Sequence, residues 1–311
     1  MSLVRVGLVA LAGSLAMGCH PSPRGASHHE ELWPSGAPGA LGSGWHDRPQ
    51  LYFYVPDPAI ATDTAIVVAS GGSYGHHGGI PVEGEPTARW LVEQGITAVI
   101  VRYRVGEWGG YDHRAFLADG ARAVQIVRSR AEALGIAPDR IGMIGYSAGG
   151  HLAASLAARC GAPGEPGPAT PIELPSDALS GVSCRPDFVA SVYPVVTLDP
   201  AHAHGRSVRN LLGRATDPPP SLVQALSVER QITASTAPTF VVTTRRDRKV
   251  PFENSVLLHD ALVAHGVPTR LHLSDDGRHG VGLADDPRRM PQMSTWPARF
   301  LAWVRGLGKL D

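Results

Sequence analysis

The chain has 311 residues, and 28 Lys and Arg are balanced by 28 Asp and Glu, so its formal net charge is zero. No basic tract breaks that balance, which argues against a nucleic-acid partner. Only 18% of residues are charged, while 36 Gly and 27 Pro run through the chain, so a helical bundle is disfavoured and a loop-rich enzyme with a large core is expected.

Arg5 precedes an apolar run from Val6 to Met17, and small residues then lead to Gly18-Cys19. This is the layout of an export signal, and the run is short for a membrane span. It resembles a bacterial lipoprotein signal, in which residues 1–18 are removed and Cys19 becomes the lipidated first residue. Ala16 stands where that pattern prefers Leu, which keeps a plain secretory signal as the alternative. The expected product is exported. It is held at a membrane, periplasmic or cell-surface, only through lipid on Cys19, or is otherwise secreted. Residues 19–30 read as a flexible tether in which His28-His29 is solvated, and residues 31–311 as a single domain.

Beyond an extended entry segment at Leu32, Gln50 to Val55 reads as a first strand and Thr64 to Ala69 as a buried parallel strand. The latter empties into Ser70-Gly71-Gly72-Ser73-Tyr74-Gly75. Pro86 to Gln94 is a helix stopped by Gly95, Ala98 to Tyr103 a core strand, and Phe116 to Leu134 a long helix. The loop between the last two carries Trp108 and Tyr111. Ile141 to Ile144 is again a core strand, with helix from Gly150 to Ala158. A Pro- and Gly-rich excursion follows from Gly161 to Asp187, the place for a lid in folds of this kind. Phe188 to Val196, Pro238 to Thr243 and Thr269 to Ser274 are further strands. Short helical pieces at Ser207 to Gly213 and Ser221 to Leu226, a helix at Glu253 to His265 and a closing helix at Thr295 to Arg305 complete the chain. Strand and helix in alternation predict an α/β fold, with a mostly parallel sheet covered on both faces. Without Cys19, Cys160 and Cys184 remain as an even pair, either a disulfide across the excursion or two buried thiols.

Gly145-Tyr146-Ser147-Ala148-Gly149 fits G-x-S-x-G between strand and helix, the context in which that pattern presents a nucleophilic serine. A serine hydroxyl needs a base, and the base needs an orienting acid. Of the histidines beyond the next strand, His259 and His265 fall in a helix and His272 in a strand. Only His279 lies in a loop after the last core strand, so it is the candidate base. Asp247 directly follows a core strand and opens D-x-x-V-P, which makes it the candidate acid, with Asp199 as runner-up. The N–H groups of Gly72 or Ser73, and of Ala148, are candidate oxyanion donors. The His76-His77 pair has no third ligand nearby in the sequence, so no metal site is expected.

Several segments carry a resemblance to the esterase/lipase branch of the α/β-hydrolase superfamily, and to its bacterial acetyl-xylan-esterase-like proteins. They are L-W-P-x-G-A-P-G-A-L-G at Leu32, G-G-S-Y at Gly71, E-G-E-P-x-A-R-W-L at Glu83 and Y-R at Tyr103. The others are D-R-I-G-M-I-G-Y-S-A-G-G-H-L at Asp139, R-N-L-L-G at Arg209, D-x-x-V-P-x-E-N-S at Asp247 and H-G-x-G-L at His279. Two departures stand out: Ser73 where relatives have a third glycine, and Arg246 where they have an acidic residue. The resemblance implies the α/β-hydrolase fold, a Ser147–Asp247–His279 triad, no cofactor, and a short-chain ester substrate such as an acetylated glycan. Ser73 and Tyr74 are expected to narrow the acyl side, and Trp108 and Tyr111 to meet the alcohol side. A serine peptidase, or a non-catalytic binding protein on the same scaffold, are the rival readings.

Overall fold

The computed structural model describes residues 23–161 and 172–311, so the signal segment, Cys19 and the middle of the excursion lie outside it. Eight strands form one sheet in the order β1-β2-β4-β3-β5-β6-β7-β8. They are β1 (His28–Glu31), β2 (Gln50–Tyr54), β3 (Ala65–Ala69), β4 (Thr97–Arg102), β5 (Ile141–Tyr146), β6 (Phe188–Val192), β7 (Thr239–Thr244) and β8 (Thr269–Ser274). From β4 to β8 all neighbours in the sheet are parallel, while β1 and β2 form an antiparallel edge. The helices are α1 (Glu85–Glu93), α2 (Gly106–Gly109), α3 (His113–Ser129), α4 (Ala131–Leu134), α5 (Ala148–Arg159), α6 (Gly205–Leu211), α7 (Pro220–Leu226), α8 (Glu253–Ala264) and α9 (Trp296–Gly306).

The residues of β3 divide between two cores. Ala65, Val67 and Ala69 pack with Phe116 and Val124 of α3 and Leu152 and Leu156 of α5. Ile66 and Val68 pack on the opposite face with Leu91 of α1 and Trp296 and Phe300 of α9. A strand covered on both faces must be apolar throughout, which is why β3 reads as an unbroken hydrophobic run.

The tether ends earlier than expected. His28–Glu31 pairs antiparallel with β2, and the His28 ring stacks on Phe53 with centroids 4.3 Å apart. Four residues of polar sequence carry no strand signal of their own; the exposed edge of β2 supplies the template. The long helix breaks at Arg130 into α3 and α4, and a single turn, α2, interrupts the Trp108 loop. α5 begins at Ala148, immediately behind Ser147, rather than at Gly150.

Cys160 and Cys184 form a disulfide. The described part of the excursion does not cover the carboxyl ends of the strands. It is clamped to the last turns of α3, where Gln125 Nε2 donates to the carbonyls of Leu179 and Val182 at 3.1 and 2.9 Å. Arg128 bonds Ser183 O at 2.6 Å and Asp187 at 2.9 Å. Asp187 in turn accepts from the N–H of Ile141, at the start of β5. Ser147 follows the other end of that strand.

Candidate active site

Ser147 sits between β5 and α5 with φ 53° and ψ −115°, a conformation L-residues seldom adopt. Its N–H donates to Val192 O at 2.9 Å, and its carbonyl accepts from Val195 and His151. The surrounding chain thus holds the strained turn in place. The glycine of the motif after the serine is dictated by contact: a Cβ on Gly149 would lie 2.2 Å from Ala69 O of β3.

His279, in the loop after β8, places Nε2 2.9 Å from Ser147 Oγ and Nδ1 2.7 Å from Asp247 Oδ2. Asp247 follows β7, and its side chain is fully buried. Its Oδ1 accepts the N–H groups of Lys249 and Val250 at 2.8 and 3.0 Å, so the D-x-x-V-P turn wraps the carboxylate and aims Oδ2 at the imidazole. The carboxylate can only accept, so Nδ1 carries the proton and Nε2 is left free to take one from the serine. Asp199 is not part of this group. It is half exposed and faces Arg230 at 4.0 Å. Asp275 pairs with Arg245, and Asp276 caps the backbone of Gln292 and Met293.

The turn after β3 faces the serine. Gly72 and Ser73 have φ of 142° and 55°. Gly72 O is committed to Gly75 N and His76 N, and Ser73 O to Asn210 Nδ2 at 2.9 Å. Among the described residues neither the Gly72 nor the Ser73 N–H meets an acceptor. The N–H of Ala148 heads α5 and belongs to the first turn, which helix geometry leaves without an internal partner. An oxyanion formed at an ester bound to Ser147 would find its donors here.

Two expected substrate contacts are corrected. Tyr74 lies behind the turn, fully buried, stacked on Phe116 at 4.7 Å with its hydroxyl 2.9 Å from His151 Nδ1. His151 Nε2 faces the Leu226 carbonyl at 2.8 Å and must donate to it, so Nδ1 accepts and Tyr74 is the donor. Burial holds the His151 imidazole down at about 4. Tyr111 is also buried. Its hydroxyl donates to Asp47 and accepts from Leu41 N, and Arg104 lies over its ring. Both rings were drawn inward by partners from distant parts of the chain.

Trp108 is 51% exposed and belongs to a cluster of rings beside the oxyanion turn. Its centroid is 5.5 Å from His76, 6.1 Å from His77 and 6.3 Å from Trp45. Burial, with the charges of Arg102 and the neighbouring His46 and His76, pushes His77 down to about 3. On the far side, α6 contributes Arg206, whose Nε and Nη2 both donate to the Glu107 carboxylate, and Asn210. The Arg206 hydrogen bond holds Glu107 down at about 2. Sequence reasoning did not single out Glu107, Arg206, Asn210, His151, Tyr193 or Glu83. Three of them fell within segments that carry the family resemblance: Asn210 in R-N-L-L-G, Glu83 in E-G-E-P and His151 in the segment that holds Ser147. Among the described residues, no group of three or more His, Cys, Asp or Glu is placed to hold a metal ion. A groove along Arg270, His272, Trp303 and Leu307, between β8 and α9, contains none of these site residues.

The BD-FAE family model matches residues 51–262. Among solved structures, an acetyl ester-xyloside bifunctional hydrolase from Caldicellulosiruptor lactoaceticus is 35% identical with a TM-score of 0.78, over 93% of this chain and 98% of that one. Endo-1,4-beta-xylanase B of Butyrivibrio fibrisolvens is 30% identical over 76% of this chain. Acetylxylan esterase of Xylanibacter ruminicola is 27% identical, also over 76%. The chain spans only 35% and 44% of the length of these last two proteins. The matched segment runs from within β2 to α8 and includes Ser147 and Asp247, and the Caldicellulosiruptor structure extends the match to nearly the whole chain. The chain belongs to the BD-FAE family of α/β-hydrolase esterases.

Proposed function

We propose that this protein is an exported serine carboxylesterase that removes short acyl groups, acetyl above all, from acylated carbohydrate. The observation that carries the reading is the unbroken line Ser147 Oγ, His279 and Asp247, at 2.9 and 2.7 Å, next to a turn in which the Gly72 and Ser73 N–H groups meet no acceptor among the described residues. In the proposed reaction His279 Nε2 takes the serine proton as Oγ attacks the ester carbonyl. Gly72 or Ser73, with Ala148, donate to the oxyanion. The imidazolium then protonates the departing alcohol, and water activated by the same imidazole releases the acid from the acyl-enzyme.

The sugar reading is supported by two relatives, an acetyl ester-xyloside bifunctional hydrolase and an acetylxylan esterase. Trp108 supports it independently, since a half-exposed ring beside the site offers a face for stacking on a pyranose. The disulfide is in keeping with an oxidising compartment outside the cytosol. Lipid on Cys19 would hold the enzyme at a membrane, and loss of membrane partitioning in Cys19→Ser tests that anchor.

The decisive experiment compares wild type and Ser147→Ala on p-nitrophenyl esters from acetyl to octanoyl and on acetylated xylan. Activity should fall with acyl length, acetate should be released from xylan, and Ser147→Ala should lose on the order of a millionfold in kcat. A Ser147→Ala protein with a tenth of wild-type rate would overturn the nucleophile. Acetyl-ester activity without release from any acetylated glycan would overturn the sugar.

A further inference from the structure

Glu83 is a buried carboxylate that the proposed reaction does not use. It lies in the turn Ile80–Gly84 ahead of α1 and is 4% exposed. Its Oε2 accepts the N–H of Gly71 at 2.7 Å, and its Oε1 accepts the Tyr193 hydroxyl at 2.9 Å. The Tyr193 oxygen in turn accepts the N–H of Gly282 at 2.9 Å. Both carboxylate oxygens therefore accept, the pattern of an ionised group. Burial pushes this carboxyl up, and the bonds from Gly71 and Tyr193 and the nearby His279 pull against that rise.

The ends of this network distinguish it from ordinary core packing. Gly71 directly precedes the oxyanion turn. Gly282 lies in the loop that carries His279. The Tyr193 ring packs on the His279 ring with centroids 4.8 Å apart. A Cβ placed on Gly71 would lie 3.0 Å from both Glu83 Oε2 and Ser147 Cβ, so the carboxylate stands directly behind the nucleophile. Tyr193 is held at φ 35°, a strained value for a bulky residue, at the end of β6 beside the Ser147 turn. A buried, desolvated carboxylate is costly, and one that bonds two catalytic loops has a use that repays the cost.

We propose that Glu83 is the positioning residue that ties the oxyanion turn to the loop of the catalytic base, through Gly71 on one side and Tyr193 and Gly282 on the other. The inference rests on the esterase reading above. Loss of the link leaves substrate binding in place and blurs the alignment of base and oxyanion donors, which the transition state needs to within a fraction of an ångström.

The test uses p-nitrophenyl acetate with wild type, Glu83→Gln, Tyr193→Phe, the double variant and Ser147→Ala. Glu83→Gln keeps the shape but can no longer accept from both donors. Its kcat should fall roughly 10- to 100-fold with KM within about twofold, and covalent labelling of Ser147 by a fluorophosphonate should slow in parallel. The double variant should be no slower than Glu83→Gln, because both changes cut the same link. A kcat for Glu83→Gln within about twofold of wild type, or losses that simply multiply in the double variant, would overturn the proposal. If Glu83→Gln fails to fold, Tyr193→Phe decides alone: a lowered kcat at constant KM supports the link and a wild-type kcat overturns it. If Ser147→Ala remains active, the esterase reading itself falls, a result none of the Glu83 outcomes imitates.

Discussion

Asp247 and Asp199 were rivals for one role because each comes after a core strand in sequence, and only their surroundings separate them. Asp247 is buried against His279 at 2.7 Å, whereas Asp199 is half exposed. Asp247→Asn should therefore lower kcat by about ten thousandfold, because an amide can present a donor to Nδ1 and stabilise the wrong tautomer. Asp199→Asn should leave kcat within a few-fold of wild type, and steady-state rates on p-nitrophenyl acetate check the ranking. The meeting of Ser147, Asp247 and His279 was legible because a position just after a strand is a local property of sequence. Tyr74 and Tyr111 were misread because the burial of a ring depends on partners such as Phe116 and Asp47 from elsewhere in the chain. Glu83 stood in a quoted segment, but its bonds were not legible for the same reason: they reach Gly71 and Tyr193 across the fold.

The oxyanion turn and α5 behave as one element, joined by the Tyr74–His151 bond. Their packing has a pH signature. His151 has an ordinary value of 6.5 and a folded value of about 4, set chiefly by burial. Below 6.5 the unfolded chain therefore binds a proton that the folded chain refuses. This contribution to stability is fully present above about pH 6.5 and declines as pH falls through about 4, at up to about 1.4 kcal/mol per pH unit. Urea midpoints measured across that window should slope less in His151→Gln than in wild type. The start of α5 was set two residues late because Gly149 is a poor helix former, and propensity does not register that Ala69 O leaves no room for a side chain at 149.

At the scale of the whole molecule, the alternation of apolar runs and amphipathic stretches made the parallel sheet legible in advance. The strand order was not, since crossovers such as β4 returning beyond β3 leave no trace in periodicity. The β1 edge was missed because its pairing comes from the β2 backbone rather than from its own side chains. Cys160 and Cys184 remained ambiguous until their positions were known. Their bond closes a sequence separation of 24 residues. In the chain-entropy account a loop of that size stabilises the fold by roughly 3–4 kcal/mol. A Cys160→Ser, Cys184→Ser double variant should unfold at lower denaturant by about that amount, with kcat/KM on acetyl esters unchanged, because the described part of the excursion is anchored at the end of the sheet opposite Ser147.

The backbone of Ser147 sets activity and durability against each other. At φ 53° and ψ −115° a glycine would rest easily, whereas any residue with a Cβ is strained by roughly 1–3 kcal/mol. The enzyme carries that strain in every resting molecule so that one hydroxyl stands clear of the sheet. Ser147→Gly should consequently be inert yet withstand heat and denaturant better than wild type. Ser147→Ala, equally inert, should show no such gain. Equal melting temperatures for the two dead variants would mean that the elbow carries no strain. A higher one for glycine would measure what natural selection has given up in robustness to keep a nucleophile.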